Sequence, residues 1–383
     1  MIHVPSTLPA SHNPSAPASR HAPARQAARL TTGPAARLAV AFKSAAACVA
    51  LLAVTTAVAA PAETTPSAVP PPQHAVSAEL DAERLFAAVV KVQTRAVPDA
   101  RSSASLGRER EGSGIVIGKD GLILTIGYLL VEADEVRIVD ARGRTLPARV
   151  LAYDHGTGLG LVKTVVPFDV AAVPLGDSAR LAEREPVMIV NAGGADDVTL
   201  AFVVSKRGFS ANWEYLLDQA IFTSPPAMNW SGAALVGKDG KLYGVGSLIV
   251  RDATDGEAAL PGNMFVPIDA LKPILDDMIR TGRRAGPPRP WLGVAADELQ
   301  GRLVVSRVSP DGPADQAGVE PGDIILAVAG EGVRTQAEFY RKVWARGAAG
   351  TEVPLRVLQG VDVKELRLRS IDRVDYFRPR TMH

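Results

Sequence analysis

At 383 residues the chain is too long for one ordinary domain and suits two or three. With 47% hydrophobic and 22% charged residues it can bury a real core, which excludes a disordered or collagen-like chain. Five of the 42 basic residues (Arg20, Arg25, Arg29, Arg37, Lys43) fall in the first 60 positions, leaving 37 against 41 acidic ones. That mildly acidic body has no electrostatic footprint for nucleic acid, and a single cysteine, Cys48, excludes a disulfide scaffold and a cysteine-based zinc site.

Residues 1–37 are rich in Ala, Pro, Ser and Arg and show no apolar periodicity. From Ser44 to Val58 an apolar run follows Lys43 and has the length of a secretory h-region. Ala57-Val58-Ala59 then supplies an A-x-A cleavage signal, which predicts a chain starting at Ala60 in an exported, periplasmic protein. Left uncleaved, residues 44–60 would anchor the chain to the inner membrane. The predicted division is 1–59 extension and signal peptide, 60–77 Pro-rich linker, 78–282 first folded domain, 283–290 linker, 291–371 second domain and 372–383 tail.

Residues 78–88 read as a short amphipathic helix with Leu80, Leu85 and Phe86 on its apolar side. To Pro267 the pattern is then of short, closely spaced strands, with Lys-Asp-Gly at 119–121 and 238–240 read as type I hairpin turns. So many short strands without intervening helices argue for barrels or a sandwich. A helix is predicted from Asp269 to Thr281, ended by Gly282. The second domain opens with Trp291-Leu292-Gly293-Val294, places a helix around Thr335–Arg346 and ends in two strands.

In the second domain, Ser309-Pro310 through Gly330 resembles the SPAxxAGLxPGDxIxxxxG run of the PDZ domain in HtrA/DegP-type proteases. The first domain is similar to their protease half at GSGIVIGKDGLILT (112–125), at 175–178, at FVVSKRG (202–208) and at 263–282. The resemblance covers roughly residues 80–370 and implies a mainly β fold, a chymotrypsin-like double β-barrel followed by one PDZ domain, with no cofactor and no metal.

It also implies positions for a catalytic triad. Tyr128 stands at the histidine position, Gly158 at the aspartate position, and Ser231 at the serine position. The glycine two residues before the serine, which helps form the oxyanion hole, is Asn229. A phenol with a pKa near ~10 is a poor acceptor for the serine proton, and Gly158 has no side chain to orient a base. His155 is either an exposed turn residue or a relocated base, and Lys163, Lys206, Lys238 and Lys241 are either solvated charges or a dyad partner. Trp230, Trp213 and Tyr215 either line a peptide groove or pack in loops and core.

The stretch Trp291, Leu292, Gly293, Val294 corresponds to the family's carboxylate-binding loop, whose main-chain N–H groups form a nest for a peptide C-terminus. The sequence therefore reads as an exported HtrA-like pseudoprotease, a scaffold, regulator or holdase that binds peptides and protein C-termini through its PDZ domain. The alternative is a serine endopeptidase acting through Ser231 in envelope protein quality control. Partners implied by the resemblance include an active HtrA relative and further copies of the chain as a homotrimer.

Overall fold

The computed structural model describes residues 81–254 and 259–377, so the apolar segment 44–60, its cleavage site and Leu80 lie outside the described residues. The chain enters through helix α1 (Ala82–Ala88), whose first turn is capped by the Asp81 side chain accepting from the Arg84 N–H. Leu85 of this helix is buried and Phe86 packs against the same core.

Six strands follow: β1 (Val89–Ala96), β2 (Glu109–Gly118), β3 (Leu122–Ile126), β4 (Ala133–Val139), β5 (Thr145–Asp154) and β6 (Leu159–Thr164). They close a barrel in the order β1-β2-β3-β6-β5-β4, with β1 pairing antiparallel to both β2 and β4. The short helix α2 (Ser103–Leu106) lies between β1 and β2. Val90, Val92, Ile115, Ile123, Leu124, Ile138, Leu159 and Leu161 are completely buried, on one face of the wall or the other. Fully burying side chains of this size contributes ~1.5–3 kcal/mol apiece, which makes the barrel wall a rigid mount for its loops.

A second barrel is built from β7 (Pro186–Val190), β8 (Val198–Ala211), β9 (Tyr215–Ser224), β10 (Ala234–Gly237), β11 (Leu242–Val250) and β12 (Gly262–Pro267). Its cyclic order, β7-β8-β9-β12-β11-β10, repeats that of the first barrel strand for strand.

Two local expectations are corrected. At 119–121 both Asp120 and Gly121 have positive φ (57° and 71°), so this hairpin takes the mirror-image geometry that suits strand twist, not a type I turn. At 238–240 only Gly240 is left-handed, as a type I turn ending in glycine requires. The helix expected over 269–281 is α-helical only in its second half, α3 (Leu275–Thr281), and is preceded by two 3₁₀ turns, Ile268–Ala270 and Lys272–Ile274. Pro273 lacks the N–H that would continue the ladder across this segment.

The PDZ half carries β13 (Val294–Leu299), β14 (Arg302–Val308), helix α4 (Pro313–Gln316), β15 (Ile324–Val328), β16 (Glu331–Gly332), helix α5 (Gln336–Trp344), β17 (Glu352–Gln359), β18 (Asp362–Arg369) and a last turn, α6 (Arg373–Tyr376). The sheet order is β13-β14-β15-β17-β18, with β16 pairing β15. Among the described residues β13 pairs only with β14, and its other edge carries no strand. α5 is capped by the Thr335 hydroxyl and buries Phe339, Tyr340 and Val343.

Candidate functional site

Ser231 lies on the loop between β9 and β10, held against the first barrel by its carbonyl, which accepts from the Ser113 N–H at 2.7 Å. Gly112 passes so near that a Cβ there would stand 2.7 Å from Ser231 Oγ, which explains a glycine at that point of β2. The Ser231 hydroxyl is buried and closes no hydrogen bond.

Tyr128 sits on the 3₁₀ turn Gly127–Leu129 that follows β3. Its hydroxyl donates to the Ser247 carbonyl at 3.2 Å. It lies near enough to Ser231 and Trp230 for them to lower its pKa, but burial outweighs them and pushes the phenol up to about 12. At pH 7 such a phenol is ionised to a fraction on the order of 10⁻⁵, and its one proton is directed at the Ser247 carbonyl, so it offers the serine no base.

Gly158 precedes β6, and its carbonyl accepts from the Gly127 N–H at 2.7 Å. It has a φ of +73°, and a Cβ there would meet the Tyr215 ring at 3.0 Å and its hydroxyl at 3.2 Å. The buried Tyr215 hydroxyl donates to the Thr157 carbonyl at 2.8 Å. A second ring closes the same region: a Cβ on Gly127 would fall 2.0 Å from Tyr153 Cε2. The nearby carboxylate of Asp154 is engaged by Thr157, through N–H and hydroxyl at 2.7 Å each, and by Arg284 at 2.8 Å. The structure thus brings Tyr128, Gly158 and Ser231 into one region, and aromatic rings fill the space around them. Asn229, exposed on the serine loop, donates through Nδ2 to Asp197 at 2.8 Å.

His155 is neither an exposed turn residue nor a neighbour of the serine. Its ring packs 4.2 Å from Tyr153 and stacks at 5.8 Å on Phe377, facing the interdomain linker. Burial and then Arg373 hold its pKa well below 6.5. Lys206 donates to the carbonyls of Ser178, Ala179 and Leu181 at 2.9–3.0 Å, Lys163 reaches the Lys119 carbonyl at 3.4 Å, and Lys241 pairs with Asp239 at 3.1 Å. Lys238 is exposed on its turn.

In the PDZ half, the N–H groups of Leu292, Gly293 and Val294 converge as the sequence predicts, but they are already in use. All three donate to one carboxylate oxygen, Oε1 of Glu214, at 3.2, 2.9 and 3.3 Å. Trp291 does not join them: its N–H donates to the Ile371 carbonyl at 3.0 Å and its ring packs 4.6 Å from Tyr376. Gly293 has a φ of +79°, and a Cβ there would lie 3.0 Å from the Trp291 ring and 3.1 Å from Ser309 Cβ. Its small size is thus required by the fold itself, and not only by the approach of a ligand.

Glu214 was not among the residues the sequence singles out. It lies on the turn between β8 and β9 with a φ of +59°, and burial pushes its carboxyl up to about 7. Trp213 and Tyr215 on either side of it stack at 5.8 Å, the Tyr215 ring buried and the Trp213 ring partly exposed. Among the described residues no group of three or more His, Cys, Asp or Glu side chains is placed to hold a metal ion.

Two barrels of identical strand order with a serine loop at their junction, followed by a PDZ sheet, define a trypsin-like protease fold joined to a peptide-binding module. Residues 112–245 match the trypsin-like peptidase domain family and residues 290–369 the PDZ domain family. The chain is of the HtrA/DegS type, a trypsin-like serine protease domain with a C-terminal PDZ domain. It is 28% identical over 309 residues to the serine endoprotease DegS of Escherichia coli (strain K12), covering 76% of this chain and 84% of that protein. It is 28% identical over 295 residues to a probable periplasmic serine endoprotease DegP-like protein of Pseudomonas fulva, covering 72% of this chain. The chain spans only 59% of the length of that DegP-like relative. A solved variant of the HtrA-type protease AlgW with tripeptide shares the fold at 22% identity, covering 80% of this chain and 98% of that one, with a TM-score of 0.50.

Proposed function

We propose that this chain is an exported HtrA-type protein that binds peptides, unfolded segments or partner proteins through its PDZ domain without cleaving them. The observation that carries this reading is that the residue near Ser231 at the base position is the Tyr128 phenol, whose pKa of about 12 removes it as a proton acceptor. The Tyr215 ring over Gly158 supports it, because it takes up room that a base-orienting carboxylate would need. Loss of a triad member typically lowers kcat by ~10⁴–10⁶, and the losses do not add, so a lone serine retains only residual rate. Its role is then that of a scaffold, regulator or holdase in the periplasm, alone, as a homotrimer or with an active HtrA relative. Residues 44–60 serve as a removed signal or as an anchor. Among the described residues no helix is long and apolar enough to cross a membrane.

The names of the relatives favour a second reading, a serine endopeptidase working through Ser231 in envelope protein quality control. Treating the purified chain with a fluorophosphonate probe and with unfolded casein separates the two. The proposal expects no label on Ser231 and no turnover of casein; activity that vanishes in Ser231→Ala would replace it with the second reading.

A further inference from the structure

The turn between β8 and β9 enters the PDZ groove from the second barrel and touches both of its walls. On the β13 side, Asn212 Nδ2 donates to Asp297 at 3.0 Å. On the α5 side, the Tyr340 hydroxyl donates to the Ala211 carbonyl at 2.7 Å and accepts from the Glu214 N–H at 3.3 Å. Arg373 of α6 donates to the Trp213 carbonyl at 2.9 Å and closes the turn from behind. Leu216, two residues beyond the carboxylate, packs against the PDZ core. The turn therefore presents a carboxylate to the nest and an apolar side chain to the domain interior, the two features by which such a groove recognises a chain terminus.

We infer that the PDZ groove carries its own occupant: the Glu214 carboxylate stands where a partner's C-terminal carboxylate binds, and a partner enters only by displacing the Asn212–Glu214 turn together with Leu216. The inference rests on the peptide-binding reading of the nest proposed above. Three N–H donors on a single buried side-chain oxygen form an anion site, and a free α-carboxylate meets the same donors without a backbone held at positive φ.

A peptide also brings something the turn lacks. No backbone hydrogen bond joins the turn to β13 among the described residues, whereas an extended chain added to the open edge of β13 would form a ladder. The partner this groove takes is thus a protein or peptide with a free C-terminus and an apolar last residue such as Val, Leu, Ile or Phe, replacing Glu214 and Leu216 together.

The test uses the whole chain and a fluorescein-labelled peptide ending in Val, as free acid and as amide, read by fluorescence anisotropy. Glu214→Ala should bind the free acid at least tenfold more tightly than the unsubstituted chain, and neither should bind the amide. Equal affinities for the free acid would overturn the internal occupant while leaving peptide binding in place. No binding of the free acid to either chain, or equal binding of the amide, would overturn the nest as a peptide site and the inference with it. Hydrogen exchange on the unsubstituted chain does not depend on the variant folding: saturating free-acid peptide should speed exchange of amides 211–216, and unchanged exchange with peptide bound would overturn displacement.

Discussion

Raising the pH from 5 to 8 should strengthen the binding of a C-terminal peptide to this chain. With the groove closed, burial pushes the Glu214 carboxyl up to about 7, against the opposing pull of Arg373 and of the Gly293, Leu292 and Val294 N–H groups. Displaced into water, the same carboxyl returns to its ordinary value of about 4.3. Closure therefore takes up a proton. The closed form has its full advantage below about pH 4.5 and loses it as the pH climbs toward 7, because the open form then releases a proton that the closed form retains. The full difference corresponds to roughly 4 kcal/mol, of which the interval from pH 5 to 8 covers a factor on the order of 10² in the closed-to-open ratio. Around Glu214 stand Arg373 on α6, Tyr340 on α5 and Asp297 on β13, with Asp154, His155, Arg283, Arg284, Arg289 and Asp372 lining the adjoining cavity of about 240 Å³. Burial holds Tyr340 above 10 and His155 well below 6.5, so both keep one charge state over most of this window. The peptide's own carboxyl, near ~3.5 in water, is ionised before binding, and the Glu214→Ala chain isolates any pH dependence that its burial in the nest adds. Anisotropy titrations at 0.15 M salt should show an affinity rising by up to about 10²-fold between pH 5 and 8, and a flat profile in Glu214→Ala. A flat profile in the unsubstituted chain, or the same slope in the variant, would refute the reasoning.

Two further outcomes follow from the geometry. The double variant Tyr128→His, Gly158→Asp should leave casein hydrolysis at background and lower stability by roughly 1–2 kcal/mol, since the new side chain meets a positive φ and the Tyr215 ring. Casein assays and urea unfolding read both, and recovery of ordinary protease rates would show that the rings yield to the carboxylate. Gly293→Val should destabilise the PDZ half by roughly 2–3 kcal/mol as well as abolish peptide binding, because a β-branched residue is strained at φ +79° and crowds Trp291 and Ser309. An unchanged urea midpoint would count against that account.

The barrels and the PDZ sheet were legible because their signals are local: alternating burial along β1, glycines at tight approaches, and the motif from Ser309 to Gly330. The positions proposed for the triad were placed by the same kind of signal, since each lies inside a segment that resembles the family's. What escaped depends on tertiary placement. Nothing in Asn212-Trp213-Glu214 marks the acid as a ligand of N–H groups some eighty positions away, and a hairpin-turn glutamate ordinarily faces water. His155 reads as exposed until Tyr153 and Phe377 close over it. The short form of α3 was missed because apolar spacing does not distinguish consecutive 3₁₀ turns from an α-helix.

The rings around Gly127 and Gly158 also bear on evolutionary history. A side chain at either glycine collides with a tyrosine already in place, Tyr153 in one case and Tyr215 in the other. Removing Tyr215 first is harmful too, because it leaves the Thr157 carbonyl without its hydrogen bond and opens a void in the core. Such pairs are coupled, and a side chain added at either glycine lowers stability before a second step could repay it. On the proposed reading, the loss of catalysis is entrenched: packing acts as a ratchet, and selection that restored a proteolytic demand would more readily recruit a different chain than rebuild this one.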